Sequence, residues 1–473
     1  MALQRYSTRD EFGNLLASDD AAVWWAAPTA TGPLSARLML PGSKSLSNRE
    51  LVLSALADGS SLLRRPLHSR DSRLMIDALR ALGVDIDEVP GDGAFGPDLR
   101  VTPPELSGRE LLGSVSIDTG LAGTVMRFLP PVAALALGPV AIDGDANARR
   151  RPMRTTIQAL RDLGVEVDDD GSGTMPFTIH GTGAVEGGEL SIDASASSQF
   201  VSGLLLAAPR FRKGLTLRHT GERLPSLPHI EMTIASLAAR GVEVSSPEPG
   251  VWVVPAGPIS AAELTIEPDL SNAAPFLAAA LVAGGTVTIE GWPDATTQVG
   301  AQLERLLPRF GAAVSRADGA LTVSGGAGIR GGVALPGAEL DLGEAGELAP
   351  TFAALAALAS GPSRLTGIGH LRGHETDRLA ALVTDITALG GVARELDDGL
   401  EIEPAALHGG PWLAFEDHRM ATSGALIGLV VEGVEVDDIA TTAKTLPEFP
   451  ELWQQLLHGR PAATTRAIDW LGL

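Results

Sequence analysis

Lysine is rare in this chain, and two of the three lysines sit where an anion could be held. Lys44 lies in Pro41-Gly42-Ser43-Lys44-Ser45-Leu46-Ser47-Asn48-Arg49, and Lys444 lies in Thr441-Thr442-Ala443-Lys444-Thr445. Lys213 is flanked by Arg210, Arg212 and Gly214 and reads as a solvated surface residue. Arginine carries nearly all the remaining positive charge, since Lys and Arg together number 36. A compact, mobile ammonium does work that a planar guanidinium fork does not. Around Lys44 the sequence predicts a helix start. Pro41 and Gly42 end a strand-like run, Ser43, Ser45 and Ser47 are capping types, and Leu51, Val52, Leu53 and Leu56 continue in helical register. Backbone N–H groups, hydroxyls, Lys44 and Arg49 would converge there as an anion site. The P-loop spacing of Gly and Lys is absent.

Further segments carry chemistry. Gly120-Leu121-Ala122-Gly123-Thr124-Val125-Met126-Arg127 is a glycine-containing turn entering a helix. Arg149-Arg150-Arg151-Pro152-Met153-Arg154 packs four arginines into six residues, with Pro152 suited to a helix's first turn. Ser195-Ala196-Ser197-Ser198-Gln199 offers hydroxyls and an amide ahead of an apolar helix. His370-Leu371-Arg372-Gly373-His374-Glu375-Thr376-Asp377-Arg378 and Glu416-Asp417-His418-Arg419 are dense in ionisable groups next to apolar helices. Lys44, Arg151, Arg378, Arg419 and Lys444 as cations, with Glu347 and Glu375 as carboxylates, point to two polyanionic small molecules and acid–base chemistry. No metal is expected, because the helical His-Glu-x-x-His spacing is absent and there is no cysteine.

Composition narrows the classes. The net charge of −22 opposes nucleic acid and anionic membrane as partners. The lack of cysteine removes disulfides, thiolate metal sites and a cysteine nucleophile. No apolar run reaches the length of about 18 residues that a membrane-spanning helix needs, and the first residues carry no apolar signal region, so a cytoplasmic protein is expected.

The elements that must position these residues repeat. An Ala/Leu-rich helical stretch, a glycine and a β-like run recur at Gly59, Gly138, Gly214, Gly285, Gly361 and Gly433, with successive spacings of 79, 76, 71, 76 and 72 residues. A second helix ending at glycine follows in the first five copies, at Gly83, Gly164, Gly241, Gly311 and Gly390. Units this long are small α/β folds in themselves. The expected fold class is α/β, with two similar domains of three units each, a boundary near Pro258–Asp269 and the ligand site in the cleft between domains.

Taken together, Pro-Gly-Ser-Lys-Ser-Leu-Ser-Asn-Arg, Ala-Gly-Thr-Val-Met-Arg, Arg-Pro-Met, Ser-Ser-Gln-Phe, His-Glu-Thr-Asp-Arg, Asp-His-Arg-Met and Thr-Ala-Lys-Thr, in that order, resemble the 5-enolpyruvylshikimate-3-phosphate synthase family over nearly the whole chain after about Ala30. The resemblance implies an inside-out α/β barrel of two domains, each of three βαβαββ units, one formed by 1–40 plus 266–473 and the other by 41–265. It implies transfer of the enolpyruvyl group of phosphoenolpyruvate to the 5-hydroxyl of shikimate 3-phosphate by addition and elimination, without metal or cofactor, in a monomeric enzyme. Lys44, Gly123, Arg151, Gln199, Arg378, Arg419 and Lys444 would hold phosphoenolpyruvate. Lys44, Ser45, Arg49, Ser197, Ser198, Gln199, Ser226, Glu347 and His374 would hold shikimate 3-phosphate. Glu375 would exchange the proton at the methylene carbon, Glu347 would act on the hydroxyl, and Lys44 would share in catalysis. With Gly123 retained, inhibition by glyphosate is expected.

The sequence departs from that family at several points. Glu347 stands where Asp is common, His370 and His374 where Asn and Lys are, His229 where Tyr is frequent, and Leu121 where Asn is. Two alternatives stay open: a catalytically impaired anion-binding homologue, and enolpyruvyl transfer to a UDP-sugar, which the missing cysteine opposes.

Overall fold

The computed structural model describes residues 24–91, 93–104 and 110–459. Among them are six small sheets, one per repeat. Each sheet contains a parallel pair of strands, and the two strands of that pair flank a buried helix where the unit is continuous in sequence. Val115–Asp118, the Gly123–Ala133 helix and Leu137–Asp143 show the pattern, and Glu339–Asp341, the Ala349–Ala357 helix and Ser363–Thr366 repeat it. Antiparallel strands then complete the sheet, as Phe177–Thr182 does against Leu137–Asp143.

Two strands sit away from their own sequence unit. Leu34–Leu38 lies parallel to Gly285–Glu290, whereas Glu263–Thr265 lies parallel to Ser61–Arg64. The chain therefore leaves one set of sheets after Leu38 and returns after Thr265. The two crossings run side by side. Gly42 bridges Pro268 antiparallel, Ser43 N–H donates to the Glu267 carbonyl at 2.8 Å, and Asp269 N–H donates to the Pro41 carbonyl at 2.9 Å. Only glycine suits position 42, because a Cβ there would collide with the Arg65 carbonyl oxygen.

Hydrophobic burial divides between two cores. One joins Ala27–Leu40 with residues from Leu270 to Leu456, and the other runs from Leu51 to Ile259. Their central helices are buried all round. Every residue of Ala273–Ala283 and of Gly123–Ala133 is buried. With sheets packed about them, these helices have no solvent-facing side, and the alanine-rich sequence of Ala273–Ala283 lets the backbones approach closely. Phe276, Phe449 and Trp453 form one aromatic cluster, with ring centroids 5.2–5.5 Å apart. Trp25 joins the same core through a short strand paired with Val434–Val436.

The expected helix-ending glycines hold for the second series. Gly83, Gly164, Gly241, Gly311 and Gly390 all have positive φ. In the first series Gly138, Gly214, Gly285 and Gly433 have it, and Gly59 and Gly361 do not. Pro152 also differs from expectation. It precedes the Arg154–Asp162 helix, whose cap is Met153, so it closes the extended link after Arg151 rather than filling a first turn.

Asp385 is a buried carboxyl near the end of the Arg378–Ala388 helix. Its Oδ1 accepts the Leu413 N–H at 3.1 Å and its Oδ2 has no partner. Burial pushes its pKa up to about 8, and a helix C-terminus also disfavours a carboxylate. An unfolded Asp titrates near about 3.9. Between those values the folded chain holds a proton that the unfolded chain has lost, so this group's contribution to stability falls as pH rises from about 4 to about 8. Asp385→Asn keeps the carbonyl acceptor and removes the titration. The variant is expected to show a flatter stability–pH curve, and to be more stable than the parent at pH of about 9, in denaturant unfolding. An unchanged curve would refute this.

Candidate active site

The Lys44–Ala55 helix is placed by its buried polar side chains. Ser43 caps it by accepting from the Leu46 N–H. Asn48 Nδ2 donates to Thr124 Oγ1 at 2.6 Å, tying it to the Gly123–Ala133 helix. Glu50 is gripped by the fully buried Arg240, whose Nη2 lies 2.8 Å from Glu50 Oε2. Arg49 is buried too. It donates to Thr233 Oγ1, the Ser45 carbonyl and the His229 carbonyl, each at 2.8 Å, and its guanidinium lies over the Phe128 ring. Burial lowers its pKa to about 10, with Glu347 and Glu50 acting against that. Arg49 thus holds the Lys44–Ser45 turn and the His229 turn together.

Between the two cores lies a cavity of about 300 Å³. From one side it is lined by Lys44, Ser45, Gly123, Arg127, Arg151, Ser197, Gln199 and His229. From the other come Asp269, Glu347, His370, His374, Glu375, Arg378, His418 and Arg419. Lys444 lies behind this lining and reaches Glu375 at 2.9 Å. Of the residues expected from sequence, Ser198 is buried at the cap of the Gln199–Ala207 helix, and Ser226, in left-handed conformation, caps the Leu227–Ala239 helix. Those two and Arg49 are not among the lining residues.

The cations are held by carboxylates. Lys44 Nζ is 3.3 Å from Asp71 Oδ2, and its backbone N–H donates to Asp269 Oδ2 at 3.2 Å. Arg378 grips Asp417 with two bonds of 2.7 and 3.2 Å and reaches Glu375 Oε2 at 3.1 Å. Burial opposes the charge on Arg378, yet Asp417 and Glu375 hold its pKa above the usual value. Arg419 donates to Glu347 Oε2 at 2.9 Å, while His229 Nε2 meets Glu347 Oε1 at 2.7 Å. For both carboxylates burial favours the neutral acid, but their partners win and hold them well below the ordinary range. The partners are His229 and Arg419 for Glu347, and Lys444, Arg378 and Arg151 for Glu375.

His370, His374 and His418 are also held below their ordinary range, which for a histidine means the uncharged form. Burial, reinforced by Arg378 for the first two and Arg419 for the third, keeps them neutral, with His370 lowered to about 4. Several buried polar atoms have no protein partner: Arg127 Nε, Arg151 Nε, Gln199 Oε1 and His370 Nε2. Oriented donors and an acceptor around a cationic cavity suit ligands that carry several oxygens.

Contacts also bridge the cavity. Besides His229–Glu347, Lys444 Nζ donates to the Leu121 carbonyl at 3.2 Å, Asn147 Nδ2 to Glu416 Oε2 at 2.7 Å, and Arg223 pairs with Asp398 at 3.2 Å. Leu121, which has no polar side chain to offer, contributes its backbone instead. Sequence reasoning passed over Arg127, Asp269, Asp71 and Asp417. For Arg127 the signal was present, since an arginine inside the apolar run Val125–Pro131 must be used or paired. The other three are ordinary acidic residues, distinguished only by what they touch.

The described residues contain no His/Cys/Asp/Glu group arranged to hold a metal ion, and no described helix is long and apolar enough to cross a membrane.

The likeness to known proteins agrees with this geometry. A family model described as EPSP synthase (3-phosphoshikimate 1-carboxyvinyltransferase) matches residues 28–453. A protein of Kocuria rhizophila named 3-phosphoshikimate 1-carboxyvinyltransferase is 57% identical over 435 residues, which make up 92% of this chain and 96% of that one. Two structures of EPSP synthase from Acinetobacter baumannii share the fold, with TM-scores of 0.73 and 0.71 at 23% identity, over 91% of this chain and 97% of theirs. With the motif set in register, two halves of three α/β units and a cationic cleft between them, the chain belongs to the EPSP synthase family.

Proposed function

We propose that the chain transfers the enolpyruvyl group of phosphoenolpyruvate to the 5-hydroxyl of shikimate 3-phosphate and releases phosphate, with the chemistry carried out in the cavity between the two cores. The family membership supports the reaction, a step of the shikimate pathway. The observation that carries the site assignment is that two partly buried carboxylates in the lining of one cavity are each paired with a cation, Glu347 with Arg419 and Glu375 with Lys444. Lys44, Arg151, Gln199, Arg378, Arg419 and Lys444 hold the phosphate and carboxylate of phosphoenolpyruvate, with Arg127 added to that set for its unpartnered Nε. Lys44, Ser45, Ser197, Ser198, Gln199, Ser226, His374 and Glu347 hold shikimate 3-phosphate. Arg49 contributes chiefly by fixing Ser45 and His229, since its described contacts leave little of its fork free.

In the addition step the 5-hydroxyl oxygen attacks C2 of phosphoenolpyruvate, Glu375 protonates C3, and the hydroxyl proton passes to the side of the cleft where Glu347 stands. In the elimination step the C2–O bond to phosphate breaks and C3 returns its proton to Glu375. The fixed cations stabilise negative charge on the phosphate as it leaves, without reorganising. Within the described residues the two cores correspond to the expected domains of 1–40 plus 266–473 and of 41–265, joined at the paired crossings, with 1–23 and 460–473 lying outside the described residues, and the chain works as a monomer.

Phosphate release from phosphoenolpyruvate is expected to require shikimate 3-phosphate and to fall by about 10²-fold or more in Glu375→Gln. Release that ignores shikimate 3-phosphate, or survives in the variant, would overturn the assignment.

Glyphosate is expected to compete with phosphoenolpyruvate. A Cβ at Gly123 would meet Gln199 Oε1 at 3.0 Å and Arg127 and Arg151 guanidinium nitrogens at 3.4 Å. Gly123→Ala therefore puts a methyl group among the anion-holding groups. It should raise the glyphosate inhibition constant by about tenfold or more, since about 1.4 kcal/mol suffices for that. An unchanged constant in steady-state competition assays would count against this placement.

A further inference from the structure

His229 is the one cleft histidine whose ring meets a carboxylate at hydrogen-bond distance. Its Nε2 lies 2.7 Å from Glu347 Oε1, while the other Glu347 oxygen receives Arg419 at 2.9 Å. The Ser271 hydroxyl also donates to this carboxylate. Glu347 is thus engaged at both oxygens, which makes it a weak proton acceptor by itself. An ionised carboxylate only accepts, so His229 Nε2 must carry hydrogen. In the neutral ring that leaves Nδ1 with the lone pair. A carboxylate holding an imidazole in one tautomer, so that its second nitrogen accepts a proton from a hydroxyl, is the logic of hydrolytic triads.

The backbone that carries the ring is held firmly. His229 lies in the first turn of the Leu227–Ala239 helix, and its carbonyl takes bonds from Arg49 at 2.8 Å and Thr233 at 3.0 Å. Its side chain is 13% exposed and lines the cavity that also holds Lys44 and Ser45. No described hydrogen bond occupies Nδ1. The charged groups around the pair are Arg49 behind His229, and Arg419, Asp269 and Arg378 about Glu347.

Resting on the reaction proposed above, we infer that His229 Nδ1 is the atom that takes the 5-hydroxyl proton, with Glu347 as the residue that sets its tautomer and position. The O–H bond breaks as the oxygen's electron pair forms the bond to C2, and the π pair of phosphoenolpyruvate takes its proton from Glu375. After elimination the imidazolium passes its proton to the departing phosphate or to water, which restores the neutral ring.

The test compares the full chain with His229→Gln and His229→Phe. Gln keeps an N–H that can donate to Glu347 but cannot serve as a base, and Phe keeps neither. Both variants are expected to lose about tenfold or more in kcat. KM for both substrates should stay within about threefold, because the loss is in transition-state stabilisation. In both, the acid limb of kcat should move to lower pH, since a lone carboxylate titrates below a carboxylate–imidazole pair. Wild-type kcat and an unshifted acid limb in His229→Gln would overturn the inference, leaving His229 as a donor only. Collapse of shikimate 3-phosphate binding with no pH shift would overturn it as well. If the variants fail to fold, as judged by melting temperature, nitrogen-15 NMR of the histidine-labelled wild-type enzyme decides. A bare Nδ1 on a ring bonded through Nε2 supports the inference, and a protonated Nδ1 at neutral pH in the absence of substrate refutes it. Absence of shikimate 3-phosphate-dependent phosphate release from the wild type would instead defeat the reaction itself, and the inference with it.

Discussion

Positive charges crowded into a buried cleft repel one another, and the site is organised around that constraint. Two like unit charges about 4 Å apart cost about 4 kcal/mol at an effective dielectric of about 20. Lys44, Arg378, Arg419 and Lys444 are each relieved by a carboxylate: Asp71, Asp417, Glu347 and Glu375 respectively. Arg127 and Arg151 have no carboxylate at ion-pair distance among the described residues. Burial, with Arg151 beside it, pushes the Arg127 pKa well down, and burial also lowers that of Arg151. The fold holds Arg127 through the all-buried Gly123–Ala133 helix that carries it, and Arg151 in the extended link that follows the Ala146–Arg150 helix. On the proposed assignment a bound dianion would supply counter-charge to this pair, so the same repulsion favours ligands carrying phosphate and carboxylate.

How the cations come to one place is a matter of chain crossing. The exchange of first strands brings Pro41–Lys44 alongside Ile266–Asp269, and the bonds between these segments fix Lys44 against Asp269. A residue at the junction of the two halves is thereby positioned by both. The bridging contacts from Lys444 to Leu121, from Asn147 to Glu416 and from Arg223 to Asp398 lie along the same interface. They are few and mostly polar, and interfaces of that kind permit relative movement of the bodies they join.

Repeat spacing and cationic motifs were legible in the sequence because both are local. A helix ending at glycine before a strand can be read within ten residues, and so can a lysine beside capping serines. What could not be read was how distant residues meet. Arg49 carries a ligand-binding look in Ser47-Asn48-Arg49, yet its fork is spent on Thr233 and two carbonyls. Asp71 and Asp417 counter Lys44 and Arg378 through contacts 27 and 39 residues apart in sequence. His229 and Glu347 are most telling. The family resemblance marks each as an expected departure, and in sequence they are two separate oddities. In the structure they are one hydrogen-bonded pair, so the shape of one explains the other.

The electrostatics of Glu375 bear on when the reaction can begin. A proton donor to carbon must be protonated at the moment of attack, yet burial alone does not achieve that here, because Lys444, Arg378 and Arg151 hold the carboxylate ionised. Removing those cations would raise its pKa but would also remove groups that the proposed assignment gives to phosphoenolpyruvate. On the proposed assignment the substrate resolves the conflict. Its phosphate and carboxylate settle on the same guanidinium and ammonium groups, and their negative charge cancels the field that depresses Glu375. Burial then becomes the dominant influence, and the carboxyl takes up a proton. The acid is therefore competent only when phosphoenolpyruvate is seated, and a substrate-free cleft keeps its carboxylates as counter-ions. On the proposed assignment one set of cations thus serves substrate binding, charge balance with the carboxylates and control of proton donation.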